Sequence, residues 1–212
     1  MIHVFDMDGT ILNSNAIWRT IDDIFIISCG YELTDEYNEF VSHAIFPTAA
    51  KFTREYYHLS MSEDAIMSAW HDLAIDAYSN ELDLKPFAEK YVRQCLELGE
   101  RCVMYTSGEP ALCRAALRHH HLENCFDLIF FAQELRMEKK YPESFTAISG
   151  LLHAPVNECV LYDDSPIACQ SAKKAGWRVI GVADDFFSYY ADEVRANCDR
   201  MISSFAELLK RN

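Results

Sequence analysis

Apolar and polar positions follow two rhythms along this chain. Short, nearly continuous apolar runs recur at 2–5 (IHVF), 102–106 (CVMYT), 127–132 (DLIFFA), 159–163 (CVLYD), 178–182 (RVIGV) and 200–202 (RMI). Strands that show one face to water alternate, whereas unbroken apolar runs belong to strands buried on both faces of a parallel sheet. Between the runs, apolar residues recur at helical spacing over 85–99, 109–120, 142–152 and 166–176. The segments at 109–120, 142–152 and 166–176 carry Pro at or near their first turn, and those at 85–99 and 166–176 end in Gly, the expected start and stop signals. Strand–helix alternation of this kind predicts an α/β fold built on a doubly wound, parallel, Rossmann-like sheet.

The stretch from Ser14 to Leu82 breaks the rhythm. It offers no strand, only helical pieces at 16–30, 34–46, 48–58 and 62–80, the last opening on a Ser-x-x-Ala cap. A crossover of roughly 70 residues far exceeds a usual connection. The expected organisation is a core of residues 1–13 and 84–212, with 14–83 inserted as an all-helical cap on hinges near 13–16 and 83–86.

Composition narrows the functional classes. Half of the 212 residues are apolar, a quarter are charged, and the formal net charge is −14. So acidic a surface repels nucleic acid and anionic lipid, and neither is expected as a partner. No apolar run is long enough to span a membrane, and Asp6 and Asp8 interrupt the first run too early for a signal peptide. The cytoplasm is the expected location. The eight cysteines form no CxxC pair and complete no zinc spacing with His, so reduced structural thiols are expected.

Four segments carry candidate chemistry, each at the end of a predicted strand or the start of a predicted helix. The first strand ends in Asp6-Met7-Asp8-Gly9-Thr10. Two carboxylates two residues apart on extended chain point the same way and repel each other unless a cation lies between them. Mg²⁺ prefers a couple of carboxylates plus phosphate and water oxygens; a plain polar turn is the alternative. Thr106-Ser107-Gly108 precede a helix containing Pro110, which suits either phosphate or an ordinary N-cap. Lys139 and Lys140 precede the helix starting at Pro142, as phosphate ligands or as solvated surface charges. Asp163-Asp164-Ser165-Pro166 supplies a second acidic pair at a strand end.

Taken in order, Asp6/Asp8, Thr106, Lys139…Pro142…Phe145 and Asp163-Asp164 resemble the haloacid dehalogenase superfamily. Its pattern is DxDGT on the first strand, Thr or Ser ending the second, Lys-x-x-Pro before a helix, and an acidic pair after the fourth. The segment DDSPIACQSAKKAGWRVIGV is similar to the family's EDSxxGxxAAxxAGxxxIGV, and the insert resembles its C1 cap. The resemblance singles out Lys139 over Lys140, because Pro142 and Phe145 then stand at the family spacing. Two positions depart from the pattern. Ala168 stands where many relatives carry an acid or Gly, and Phe87 stands where the cap returns and the family has Gly.

The resemblance implies a phosphatase in which Asp6 becomes transiently phosphorylated. Mg²⁺ would be held by the Asp6 carboxylate, the Asp8 backbone carbonyl and Asp164, with Asp163 supporting. Asp8 would protonate the leaving oxygen and then deprotonate water. Thr106, Ser107, Gly108 and Lys139 would hold the phosphoryl oxygens. The expected substrate is a small phosphorylated metabolite, either a sugar phosphate or a nucleotide monophosphate. The rivals are an intramolecular phosphomutase of the β-phosphoglucomutase type, a dehalogenase sharing the nucleophile, and a non-catalytic phosphate-binding protein on the same scaffold. Arg19, His43, Lys51, Arg54 and His58 are the polar cap residues considered for specificity.

Overall fold

A computed structural model describes residues 1–42 and 44–210; His43 therefore lies outside the described residues. The six apolar runs form β1 (Ile2–Phe5), β2 (Arg101–Thr106), β3 (Leu128–Phe131), β4 (Cys159–Asp163), β5 (Arg178–Val182) and β6 (Arg200–Ile202). They pair in parallel in the order β3-β2-β1-β4-β5-β6. β1 lies at the centre, with Phe5 in register with Met104 on one side and Tyr162 on the other. Because every strand runs the same way, all carboxyl ends share one edge of the sheet. The strand order reverses at β1, where loops diverge and leave room for a ligand.

Neighbouring residues on each strand face opposite sides, so each strand feeds two cores. Phe5, Cys102 and Met104 pack with α5 (Ala88–Glu97) and α6 (Pro110–His119). Val4, Val103 and Tyr105 pack with α8 (Pro142–Leu151), α9 (Pro166–Lys174) and α10 (Ala191–Ala196). The run at 127–132 ends one residue earlier than its apolar pattern suggests, because Ala132 opens the one-turn helix α7 (Ala132–Leu135). None of the helices among the described residues is long and apolar enough to cross a membrane. All eight cysteines are free, and six of them are buried.

Between β1 and α5, the described residues form four helices: α1 (Asn15–Ser28), α2 (Asp35–Val41), α3 (Phe46–Tyr56) and α4 (Glu63–Asn80). Thr34 caps α2 by accepting from Tyr37 N, and Ser62 caps α4 by accepting from Ala65 N, each satisfying an otherwise orphaned donor. Phe25, Tyr37, Trp70 and Tyr78 fill the space between these helices. That apolar interior continues without a break into the α5–α6 side of the sheet. The outgoing and returning segments lie side by side: Asn13 N donates to Asp83 O at 2.9 Å, and Lys85 N donates to Ile11 O at 2.8 Å. Phe87 opens α5 at φ 65°, the left-handed region that favours glycine.

Candidate active site

Asp6 is the first residue past β1. Its N–H still donates to Tyr162 O at 2.9 Å, which extends the pairing with β4 and fixes the backbone below the carboxylate. The side chain is buried, with Oδ1 2.7 Å from Lys139 Nζ. That contact is an ion pair rather than a well-directed hydrogen bond, and Oδ1 has no hydrogen-bond partner. Lys139 Nζ also donates to Asp163 Oδ2 at 2.7 Å. Burial alone would lower the Lys139 pKa, but Asp163 and Asp6 outweigh it and hold the ammonium charged. Lys140 also lines the cleft but pairs with Glu138 at 2.8 Å, so Lys139 is the lysine placed beside Asp6.

The acidic pair after β4 divides. Asp163 is fully buried and accepts from Ser165 N at 2.9 Å as well as from Lys139. Burial pushes it up to about 6, with Lys139 pulling down and Asp6 adding to the rise. Asp164 reaches the cleft; its Oδ1 accepts from Thr10 Oγ1 at 3.0 Å and its Oδ2 from Asn15 Nδ2 at 2.8 Å. Burial, then the charges of Asp163 and Asp6, push Asp164 well above the usual carboxylate range. Asp6, Asp163 and Asp164 each offer an oxygen within 4.8 Å of the others. Three carboxylates share one lysine, so ionising all of them together calls for a further cation. Their donor set is all hard oxygen, so the residues present fit Mg²⁺.

Asp8 is held from two directions. Ser14 Oγ donates to Asp8 Oδ1 at 2.6 Å, and the Tyr78 hydroxyl donates to the same oxygen. Burial pushes Asp8 upward more strongly than these two donors pull it down. Gly9, at φ 74°, turns the chain off the strand; a Cβ there would lie 2.2 Å from both Asn15 Nδ2 and Asp164 Oδ2. Gly108 is constrained in the same way, since its Cβ would lie 2.7 Å from Asp8 Oδ2 and 2.6 Å from Cys113 Sγ. Thr106 is buried at the end of β2 with its hydroxyl accepting from Gly108 N at 3.0 Å, and Ser107 and Gly108 line the cleft. At the start of α6 the structure shows the ordinary N-cap alternative. Glu109 Oε2 takes up Leu112 N at 2.8 Å and places a carboxylate there, within 3.3 Å of His71.

These groups open onto one cleft of about 520 Å³ between the carboxyl edge of the sheet and the inserted helices. Of the described specificity candidates, Arg19 lines it, whereas Lys51 and His58 are exposed elsewhere and Arg54 pairs with Glu63 at 3.1 Å. Phe46 and Trp70 reach the cleft as well as the helical core. The loop after β5 supplies the facing aromatic wall, including Phe186 and Tyr189. That loop is pinned by Asp184, which accepts from Phe186 N and Phe187 N and pairs with Lys85 at 2.5 Å.

Sequence reasoning missed Thr10, Ser14, Asn15, Trp18, Tyr78 and the Lys85–Asp184 pair. Thr10 and Ser14 stand close to the DxDGT segment and were within reach of a motif-centred reading. Tyr78 and Lys85 are brought in over long sequence separations and leave no local signal.

The haloacid dehalogenase-like hydrolase family matches over residues 3–182. The probable pseudouridine-5'-phosphatase of Drosophila melanogaster is 24% identical, the match covering 96% of this chain and 89% of that protein. The crystal structure of CbbY from Rhodobacter sphaeroides in complex with phosphate superposes with a TM-score of 0.82 at 22% identity, over 98% of this chain and 95% of that one. β-Phosphoglucomutase from Clostridium difficile gives 0.78 at 18% identity, over 99% and 94%. At these identities the solved structures speak to the fold alone, but the family match spans most of the sequence, from β1 to the end of β5. The chain belongs to the haloacid dehalogenase-like hydrolase family.

Proposed function

We propose that this chain is a Mg²⁺-dependent phosphatase that hydrolyses a small phosphorylated metabolite, a sugar phosphate or nucleotide monophosphate, through an aspartyl phosphate on Asp6. The observation that carries the reading is Asp6 Oδ1. It is a buried carboxylate oxygen without a hydrogen bond, at the carboxyl end of the central strand, with Lys139 Nζ 2.7 Å away. A nucleophile must keep a lone pair uncommitted, and a phosphoryl group arriving there meets a fixed cation.

The residues take distinct roles. Asp6 attacks phosphorus, and the bond to the leaving oxygen breaks. Lys139 and the Thr106–Gly108 turn bind and orient the phosphoryl oxygens, where negative charge is concentrated. Asp8 protonates the departing oxygen and, once ionised, takes a proton from the water that releases phosphate. The Asp6 and Asp164 carboxylates with the Asp8 carbonyl would hold Mg²⁺, Asp163 supporting them through Lys139. When bound, the ion would offset the charge of carboxylates and phosphate brought together. The helices of 14–83 act as the cap, whose seating over the sheet edge excludes water.

Among the described residues lining the cleft, the inserted helices contribute Arg19 as their cation beside the acids Asp22, Asp35 and Glu39. This charge pattern offers a second phosphate little to bind. It favours water over a bound sugar phosphate as acceptor, and so hydrolysis over mutase chemistry.

Borohydride reduction of an acid-quenched single turnover tests the nucleophile, because it converts phosphorylated Asp6 to homoserine. Homoserine at position 6, found by peptide mass spectrometry and lost on omitting metal, is the expected result. Full turnover without it would remove Asp6 from this role. Incubation with glucose 1-phosphate and a trace of glucose 1,6-bisphosphate tests the acceptor: free phosphate is expected, and rapid glucose 6-phosphate formation without it would establish a mutase.

A further inference from the structure

Tyr78 lies on α4, seventy residues from Asp8 in sequence, and is 1% exposed. Its hydroxyl donates to Asp8 Oδ1 and accepts from Trp18 Nε1 at 2.8 Å. An indole N–H can only donate, so the Trp18 contact occupies the tyrosine oxygen as acceptor and leaves its proton for Asp8. Ser14 Oγ donates to the same Asp8 oxygen at 2.6 Å. Two donors occupy the two lone-pair directions of Oδ1. A proton placed on that oxygen would face them both, so the carboxylic acid must carry its proton on Oδ2. Oδ2 is the oxygen turned toward Gly108, on the cleft wall that also presents Thr106 and Ser107.

We propose that Tyr78 is a positioning residue for the acid: by occupying Oδ1 together with Ser14, it places the transferable proton on Asp8 Oδ2, facing the leaving group. The proposal rests on Asp8 being the general acid of the phosphatase reading. In the first half-reaction the Asp6 oxygen bonds to phosphorus and the ester P–O bond breaks. The leaving oxygen takes the Oδ2 proton, giving a neutral alcohol and an Asp8 carboxylate. In the second, water adds to phosphorus and loses a proton to Oδ2, the Asp6–phosphorus bond breaks, and phosphate departs. Oδ1 keeps its two donors throughout, so the carboxylate cannot rotate its proton out of line. Trp18 and Tyr78 come from α1 and α4, so the acid is fully assembled only with the inserted helices seated against the sheet.

Loss of a general acid matters in proportion to how badly the leaving group needs a proton. Aryl phosphates running from 2,4-dinitrophenyl phosphate, whose phenolate leaves unaided, to phenyl phosphate, whose phenolate does not, therefore read the acid directly. Tyr78→Phe retains the ring and its packing while removing the donor. It is expected to lower kcat/KM for phenyl phosphate by about ten- to hundredfold, part of the usual contribution of such an acid. kcat/KM for the dinitrophenyl ester should stay nearly unchanged. Trp18→Phe, which frees the tyrosine to turn, should steepen the same dependence to a smaller extent. A uniform loss across the series in both variants, each folded by circular dichroism, would reduce Tyr78 to a packing residue and overturn the proposal. Asp8→Asn separates the two readings: it should show the steepest dependence, and a flat series for Asp8→Asn would instead overturn the acid role of Asp8 itself.

Discussion

Asn15 Nδ2 donates to Asp164 Oδ2 at 2.8 Å across 149 positions of sequence. The first residue of the inserted helices thus orients an acid carried by β4, and with Thr10 it leaves one lone pair on each Asp164 oxygen for a further ligand. Asp163 also accepts one hydrogen bond on each oxygen, from Lys139 and Ser165, but it is fully buried, whereas Asp164 lines the cleft. Activity should vanish with a chelator and return with Mg²⁺. Asp164→Ala should raise the Mg²⁺ concentration for half-maximal activity far more than Asp163→Ala does. Equal shifts in Mg²⁺ titrations of the two variants would refute this division.

Asp6→Asn should abolish nearly all turnover in a folded protein, because an amide is a poor nucleophile. The folded state should persist, since the neutral amide removes one member of a crowded set of negative charges. Activity assays with circular dichroism check both halves, and substantial turnover by the folded variant would exclude Asp6 as nucleophile.

Lys139→Ala should differ from Asp6→Asn by costing stability as well as turnover. It strips the cation from Asp6 and Asp163 together, and removing one partner of a buried ion pair typically costs about 3–5 kcal/mol. Denaturant unfolding should show a loss of that order. A midpoint equal to that of the parent would mean that the two carboxylates find other partners.

Gly9→Ala should be damaging out of proportion to one methyl group. The left-handed turn and the 2.2 Å approach to Asn15 and Asp164 both oppose it. Thermal unfolding together with Mg²⁺-dependent turnover should fall in this variant, and parental values for both would show that the Asp6–Leu12 turn adapts.

Asp22→Asn is expected to stabilise the protein in a pH-dependent way. Burial pushes the Asp22 carboxyl up to about 7. The folded chain therefore keeps a proton that the unfolded chain releases near its ordinary value of about 4. Stability falls as pH rises between these values, and the loss is complete above the folded pKa. The asparagine variant lacks this penalty, so its gain in Tm over the parent should be larger at pH 8 than at pH 5. An equal gain at both values would place the effect elsewhere.

The sequence by itself determined the sheet and the helical character of the insert, and it singled out residues that the fold gathers at one cleft. Continuous apolar runs have only one stable home, between two layers of helix, and their order with the helical segments predicts the parallel sheet that is found. Asp6, Thr106, Lys139 and Asp163-Asp164 were legible because each ends a strand or opens a helix, and a parallel sheet brings all such ends to one edge. Local pattern is silent about what stands across that edge. Lys139 and Lys140 are adjacent in sequence, yet only the fold turns one toward Asp6 and the other toward Glu138. Tyr78 reads as one more aromatic on an amphipathic helix, and Lys85 as a surface lysine. Each meets its partner, Asp8 or Asp184, only when segments seventy or more residues apart are packed together. A side chain's role depends on the direction in which it points and on what excludes water from it. Both are fixed by long-range packing, which only the tertiary structure decides.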